Sequence, residues 1–286
     1  MTWVGYSVLM FLGSVAYYLT LRRATLAKIS QDLLLLTTFI LPLVLYVIIG
    51  VAGGQSDPVS LPQLAAIAVI AVVFSYFGNL ASLRAIELAP NPGYSLVLSK
   101  SYVLLTAAAA FVFLGAELSP LKILAIFLVI GFSSLIMINK GKAKAGGDNR
   151  WVWLSLAAFF SFGFMSLWSK YLFSHGLGTI PFLVYLYAIV TLCVLVVSKV
   201  RFSSFRGLSF FQWVLLIGVG VFAALFNIGQ FQAIRLAPNV GYVNAVNAGS
   251  ISLITVLAVL LFGDHLSARK AVGVAGVTAG LILLLI

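Results

Sequence analysis

The sequence predicts an all-α membrane protein, with ten transmembrane helices built as a 5+5 inverted-topology repeat. Composition is the first reason. The 286 residues are 63% hydrophobic and only 8% charged, with a mean hydropathy of +1.17, far outside the range of soluble domains. Spacing is the second, because ten apolar runs approach the ~20 residues that a helix needs to cross hydrocarbon with its backbone amides paired. The third is a repeat: Leu88-Ala89-Pro90-Asn91-Pro92-Gly93-Tyr94 returns as Leu236-Ala237-Pro238-Asn239-Val240-Gly241-Tyr242.

The first run, residues 2 to 20, ends at the basic Arg22, Arg23 and Lys28. Asp32 opens the second, 31 to 53, and Glu87 closes the third, 62 to 87. A tight hairpin then leads into the fourth run, 92 to 114. Pro90 and Pro92 lack amide hydrogens, Asn91 tolerates turn geometry and Gly93 is conformationally free, so the stretch ends one helix and starts the next. Glu117 falls in the loop before the fifth run, 119 to 139, and the polar stretch 139 to 148 links a first unit, 1 to 138, to a second, 149 to 286. The sixth run, 151 to 172, precedes His175; the seventh, 179 to 198, holds the lone Cys193 as a packing residue and is followed by Lys199, Arg201 and Arg206. The eighth, 209 to 234, and ninth, 239 to 262, flank the second copy of the hairpin, and Asp264 and His265 lie in the loop before the tenth, 267 to 286.

A gapless shift of 148 residues aligns Trp3 with Trp151, Asn79 with Asn227, and Gly115, Leu118, Ser119 and Lys122 with Gly263, Leu266, Ser267 and Lys270. Eight of the ten residues 85 to 94 are identical in the two copies, which marks an internal duplication. Five spans per unit is an odd number, so the second unit is expected to enter the membrane inverted relative to the first. Inverted repeats place a ligand site near the bilayer midplane between the halves.

Polar side chains are costly in hydrocarbon and belong on the bundle interior or a watery cavity. Ser75, Asn79 and Ser82 fall on one face of the third helix, and Ala223, Asn227 and Gln230 hold the equivalent places in the eighth. The fourth helix carries Ser95, Ser99, Tyr102 and Thr106; the ninth offers Asn244, Asn247 and Ser250, and Tyr18 matches Ser166 across the first and sixth. The bland reading is that such groups tie helices together, at ~1 kcal/mol or less per hydrogen bond. It is favoured for single serines and threonines, whereas the bulkier asparagines favour a cavity lining. Lys100 lies about 12 Å into the fourth helix at ~1.5 Å per residue. Its counterpart is Ala248, so it is an asymmetric group suited to a carboxylate or phosphate, against the alternative of snorkelling to the interface. Arg84, Glu87 and Arg235 precede the two hairpins, as gates by one reading and interfacial anchors by the commoner one. Gly273, Gly276 and Gly280 in the last helix allow close helix contact, including contact across a homodimer.

The 5+5 duplication, the Ala-x-x-x-Ala-Pro of residues 85 to 90 and 233 to 238, and the Gly-x-x-Leu-Ser of residues 115 to 119 and 263 to 267 together resemble the drug/metabolite transporter superfamily. Within it, the chain resembles the ten-helix EamA-type transporters over essentially its whole length. Where such transporters commonly carry glutamate after that glycine, this sequence has Ala116 and Asp264. The resemblance implies a secondary transporter working by alternating access, with a small-molecule solute and the lipid bilayer as partners. A solute such as an amino acid or organic acid, bearing an anionic group if Lys100 faces the cavity, is the expected cargo.

Other classes fit less well. The formal net charge of +11 is spread over short loops, so no nucleic-acid surface is expected. No paired acids, metal-ligand cluster or glycine-rich phosphate loop stands in the sequence, so the chain is expected to be no enzyme and to need no cofactor. The rivals are a membrane-embedded enzyme of lipid-linked substrates and a structural subunit that moves nothing. No carboxylate lies deep in any run, which leaves proton antiport without an obvious carrier. Basic residues concentrate in the loops after the first, fifth and seventh runs. The positive-inside rule therefore places both termini outside in the cell inner (plasma) membrane, although the family resemblance implies termini inside.

Overall fold

A computed structural model describes residues 1–54, 58–90, 92–138, 149–197, 205 and 207–286. The linker 139–148, Asn91, and the basic Lys199, Arg201 and Arg206 lie outside the described residues. The described chain is all-helical, with no strand among the described residues. Ten helices are long and apolar enough to cross a membrane: α1 Trp3–Leu26, α2 Gln31–Ala52, α3 Leu61–Leu88, α4 Gly93–Leu114, α5 Pro120–Met137, α6 Arg150–Ser174, α7 Thr179–Val197, α8 Phe210–Leu236, α9 Val240–Phe262 and α10 Ala268–Leu285. They fit a multi-pass membrane protein. The largest difference from the expected boundaries is at α1, which continues through Arg22 and Arg23 to Leu26, six residues past residue 20.

The recurring loop motifs have a local cause. Gly115 and Gly263 end α4 and α9 with φ of 62° and 69°, a left-handed conformation that costs glycine nothing. Four residues later Ser119 and Ser267 accept hydrogen bonds from the amides of Lys122 and Lys270, capping α5 and α10. Thus the repeated Gly-x-x-Leu-Ser is a stop signal followed by a start signal. At the hairpin before α9, the side chain of Asn239 accepts from Gly241 N at 2.8 Å, the same capping device with an asparagine.

Packing is set where small residues let backbones meet. A Cβ on Gly13 would lie 2.8 Å from Phe226 N, and one on Gly229 would lie 2.6 Å from Met10 N, so α1 and α8 cross backbone to backbone. The seam between α3 and α6 is similar, with Gly78 against Ser161. On α10, Gly273, Gly276 and Gly280 receive Ile136, Phe132 and Val129 of α5. The small-residue stripe expected to allow close helix contact is therefore filled from within the chain. Two further features break regularity in the first half. In α3, Ile70–Phe77 form a wider π-helical turn just before Asn79, and the equivalent residues of α8 remain α-helical. In α4, the helix tightens at Ser101, where Leu104 N bonds the carbonyl three residues back at 3.0 Å.

Candidate functional site: a polar cavity walled by both halves

A cavity of about 180 Å³ lies inside the bundle, walled by every helix except α5 and α10. Those two pack on each other and buttress α4 and α9 from outside. Asn79, on the turn after the π-helical segment of α3, meets Lys100 and Tyr102 of α4 around the tightened turn at Ser101. From α8 come Asn227 and Gln230, from α9 Asn247, and from α1 Tyr17 and Tyr18.

Asn79 and Asn227, which align in the 148-residue shift, are oriented by the same contact. The Nδ2 of Asn79 donates to Ser75 O at 2.7 Å, and that of Asn227 donates to Ala223 O at 2.8 Å. Two oxygens would repel at such a distance, which fixes the amide orientation and leaves each Oδ1 turned from its own helix. Lys100 is half-buried, and its ammonium makes no hydrogen bond or ion pair with any described residue. Tyr102 lines the cavity together with Lys100 and, from α9, Asn247. Among the lining residues Lys100 is the one formal charge, with no carboxylate in the wall.

Of the residues expected from sequence to face the cavity, the wall contains Tyr18, Asn79, Lys100, Tyr102, Asn227, Gln230 and Asn247. It does not contain Ser82, Ser99, Ser166, Asn244 or Ser250. The hydroxyls of Ser99, Ser166 and Ser250 fold back onto Leu96 O, Phe162 O and Asn247 O, a local bond that satisfies them inside their own helices. Asn244 is fully buried and donates to Thr106 Oγ1 at 3.1 Å, tying α9 to α4. Ser82 lies beyond Asn79, half-buried, outside the wall. Arg84 and Glu87 form an ion pair at 2.9 Å with side chains 72% and 59% exposed, a surface contact. Arg235 enters through its backbone carbonyl rather than its guanidinium.

Sequence reasoning missed the contribution of α2 and α7, where Thr38, Phe39, Leu186, Tyr187 and Val190 complete the wall. These residues sit in nearly uniform apolar runs, and an apolar run carries no face marker. The tyrosines were the available signal: Tyr46 Oη donates to Ala224 O at 2.9 Å, and its ring stands edge-on to Tyr187, 5.2 Å between centroids.

The two ends of the bundle differ. Beside the hairpin before α9, Asn239 Nδ2 donates to Ala107 O at 3.2 Å and Glu117 O at 2.9 Å, and Tyr242 Oη donates to Glu117 O at 2.9 Å. Lys170 Nζ donates to Arg235 O and Ala237 O at 2.9 and 2.8 Å, capping α8. A Cβ on Gly241 would lie 2.6 Å from Ala107 Cα, and residues 240 to 250 are buried throughout. This end is sealed. Beside the hairpin before α4, the equivalent Gly93 instead lies against Met137 and Ile138 at the end of α5, and Tyr94 is 38% exposed. There Arg22 grips Asp264 through two hydrogen bonds of 2.7 Å and covers the Phe262 ring at 4.4 Å. The Arg22 hydrogen bonds hold the Asp264 carboxyl below its usual carboxylate range.

No family model matches the chain, and no curated protein matches it. A solved crystal structure is similar over 99% of this chain and 98% of that one, with a TM-score of 0.71 at 18% identity. That similarity is one of fold.

Proposed function

We propose that the chain is a secondary transporter that moves a small metabolite across the cell inner membrane by alternating access through this cavity. In this reading it is an EamA-type member of the drug/metabolite transporters, built from two inverted five-helix units. The observation that carries the reading is a set of contacts that recur under the same 148-residue shift. Trp3 packs on Tyr242 with ring centroids 6.3 Å apart, and Trp151 packs on Tyr94 at 6.5 Å. Gly13 meets Phe226, and the equivalent residues Ser161 and Gly78 meet each other. So α1 belongs with α8 and α9, and α6 with α3 and α4, in two related bodies that exchange segments between the halves.

Against this symmetry, the sealed end has no counterpart. Gly241 sits on Ala107, whereas Gly93 does not take the equivalent place on Thr255. Two related bodies, closed on one face and loose on the other, are what a rocking carrier has in one of its end states. The closed face is the one that holds the termini, which the charge count puts outside; the cavity then opens to the cytoplasm. Two ties between distant helix ends and loops are compatible with ten alternating spans, Arg22 to Asp264 on one face and Tyr242 to Glu117 on the other. With no carboxylate in the wall, exchange or facilitated movement is favoured over acid-based proton antiport.

Proteoliposomes containing the purified chain and preloaded with a metabolite panel test the proposal by counterflow of labelled solutes. Saturable flux that falls with Lys100→Ala is expected. Flux no greater than in empty liposomes for the whole panel would leave a structural subunit or an enzyme of lipid-linked substrates as the better reading.

A further inference from the structure

We infer that the cavity prefers a monoanion that also carries a neutral hydrogen-bond donor on an apolar body, a hydroxy carboxylate, over the corresponding zwitterionic amino acid. This rests on the cavity being a solute site. Three features of the wall lead to it. Lys100 supplies one uncompensated positive charge, free among the described residues, in a wall with no carboxylate. A bound carboxylate makes the pair neutral; a bound zwitterion leaves the positive charge in place and adds a desolvated ammonium with no acid to receive it.

The second feature is the pair of asparagines. Because one N–H of each Nδ2 is bonded to its own helix, the Oδ1 atoms of Asn79 and Asn227 are turned from that bond and are acceptors available to a ligand. Neutral carboxamide oxygens suit a hydroxyl or amide hydrogen, whereas an ammonium within the field of Lys100 needs a formal negative charge. The third is that much of the rest of the wall is aromatic or aliphatic, including Phe39, Phe162, Leu186 and Phe226, while its other polar groups, Thr38, Ser75, Gln230 and Asn247, are all neutral. A cavity of roughly 150 Å³ holds a benzene ring, so one of about 180 Å³ takes a ring or branched alkyl group with a short polar head. Lys100 has Ala248 at its repeat-equivalent position, so the head has one place to go and the solute is held in one orientation.

Three probes share one carbon skeleton and differ only at the α-position: 3-phenyllactate with a hydroxyl, 3-phenylpropanoate with hydrogen, and L-phenylalanine with an ammonium. Binding to the full chain in nanodiscs at neutral pH, read by calorimetry, separates the contributions. Phenyllactate is expected to bind roughly threefold to tenfold tighter than phenylpropanoate, the value of one neutral hydrogen bond. L-Phenylalanine is expected to bind at least about tenfold weaker than phenyllactate. Lys100→Met should abolish binding of the two monoanions and Lys100→Arg should keep it. Asn227→Asp, which puts a carboxylate where the neutral acceptor was, should reverse the order of phenyllactate and L-phenylalanine; Asn79→Asp repeats the test on the opposite wall should the first variant fail to fold.

Equal or tighter binding of L-phenylalanine to the unmodified chain overturns the inference, and so does failure of all three probes to bind. Counterflow distinguishes this from failure of the transport reading. Flux of zwitterions with no anion preference removes the inference and leaves transport standing; phenyllactate binding with no flux of any solute does the reverse.

Discussion

Replacing Gly241 by alanine should open the sealed end of the bundle. The added Cβ would stand 2.6 Å from Ala107 Cα and 2.8 Å from Ala107 N. Ordinary contact begins near 3.4 Å and Ala107 Cβ stands closer still, so α9 must withdraw from α4 by at least about 0.8 Å. The nearest obstruction is Ala107 Cβ, and with the two backbone atoms it forms a rigid group that no rotamer change relieves. Overpacking of this kind costs ~1–3 kcal/mol; under the transport reading the strain falls on the closed arrangement alone, and the ratio of closed to open molecules drops by about 5- to 150-fold. Val243, fully buried two residues further along α9, reports the change. In a Cys193→Ser background, Val243→Cys should react slowly with a bulky water-soluble maleimide, and the rate should rise by that factor once Gly241→Ala is added. The comparison variant is Gly163→Ala, whose Cβ meets the end of the flexible Leu105 side chain at 2.8 Å and should leave labelling unchanged. A labelling rate that stays within twofold in a folded Gly241→Ala protein refutes the assignment of this contact as the seal.

Asn239→Ala removes a cap and two bonds to carbonyls, a loss of roughly 2–4 kcal/mol that should appear as a lower melting temperature; Asn239→Asp keeps the cap but turns an anion toward Ala107 O and Glu117 O, and should melt lower still. The Arg22 and Asp264 side chains are 40% and 36% exposed, so Asp264→Asn should cost only about 0.2–1 kcal/mol at neutral pH and less in high salt. Because Arg22 lowers the folded-state pKa of Asp264, that contribution is present above the unfolded carboxylate value near ~4 and is lost as pH falls through the lower folded value. Melting curves of the parent and Asp264→Asn should therefore converge in acid, and a gap that widens there contradicts the sign. If the chain rocks as proposed, Tyr94 should approach His265 in the alternate state as Tyr242 approaches Glu117 in this one. Cysteines at 94 and 265, again with Cys193→Ser, should be bridged by a short bifunctional thiol reagent and the bridge should stop counterflow; bridging without effect on flux counts against the rocking motion.

The membrane class, the ten helices and most of the polar wall were legible in the sequence because each rests on a local cause. A long apolar run has few alternatives to a spanning helix, and asparagine is expensive enough in hydrocarbon that Asn79, Asn227 and Asn247 all reached the cavity. Serine gave a weaker signal for a physical reason: its hydroxyl can be satisfied by a carbonyl of its own helix, as at Ser99, Ser166 and Ser250. Asn244 shows the limit for asparagine, since Thr106 on the neighbouring helix receives its amide and takes it out of the wall. Thr38 and Tyr187 went unseen because periodicity cannot mark a face in a run that is apolar all round. The Gly273, Gly276 and Gly280 stripe was legible as a packing face, but only the fold shows that α5 fills it.

The conformation is the one property that two near-identical motifs leave open. Both copies of the hairpin carry Asn, Gly and Tyr at matching places, yet Asn239, Gly241 and Tyr242 are committed to a seal, whereas Gly93 and Tyr94 have other neighbours. The seal is also imperfect in a specific way. Closing α9 on α4 buries Asn244 with its Oδ1 lacking any partner among the described residues, and an unsatisfied buried acceptor costs ~1–3 kcal/mol. Opening would return that oxygen to water. In a chain that opens and closes as proposed, closure is thus favoured by the Asn239 bonds and opposed by the Asn244 orphan further along the same helix. Under the transport reading, this opposition keeps the closed end from becoming a dead end, because a carrier needs both end states within a few kcal/mol of each other.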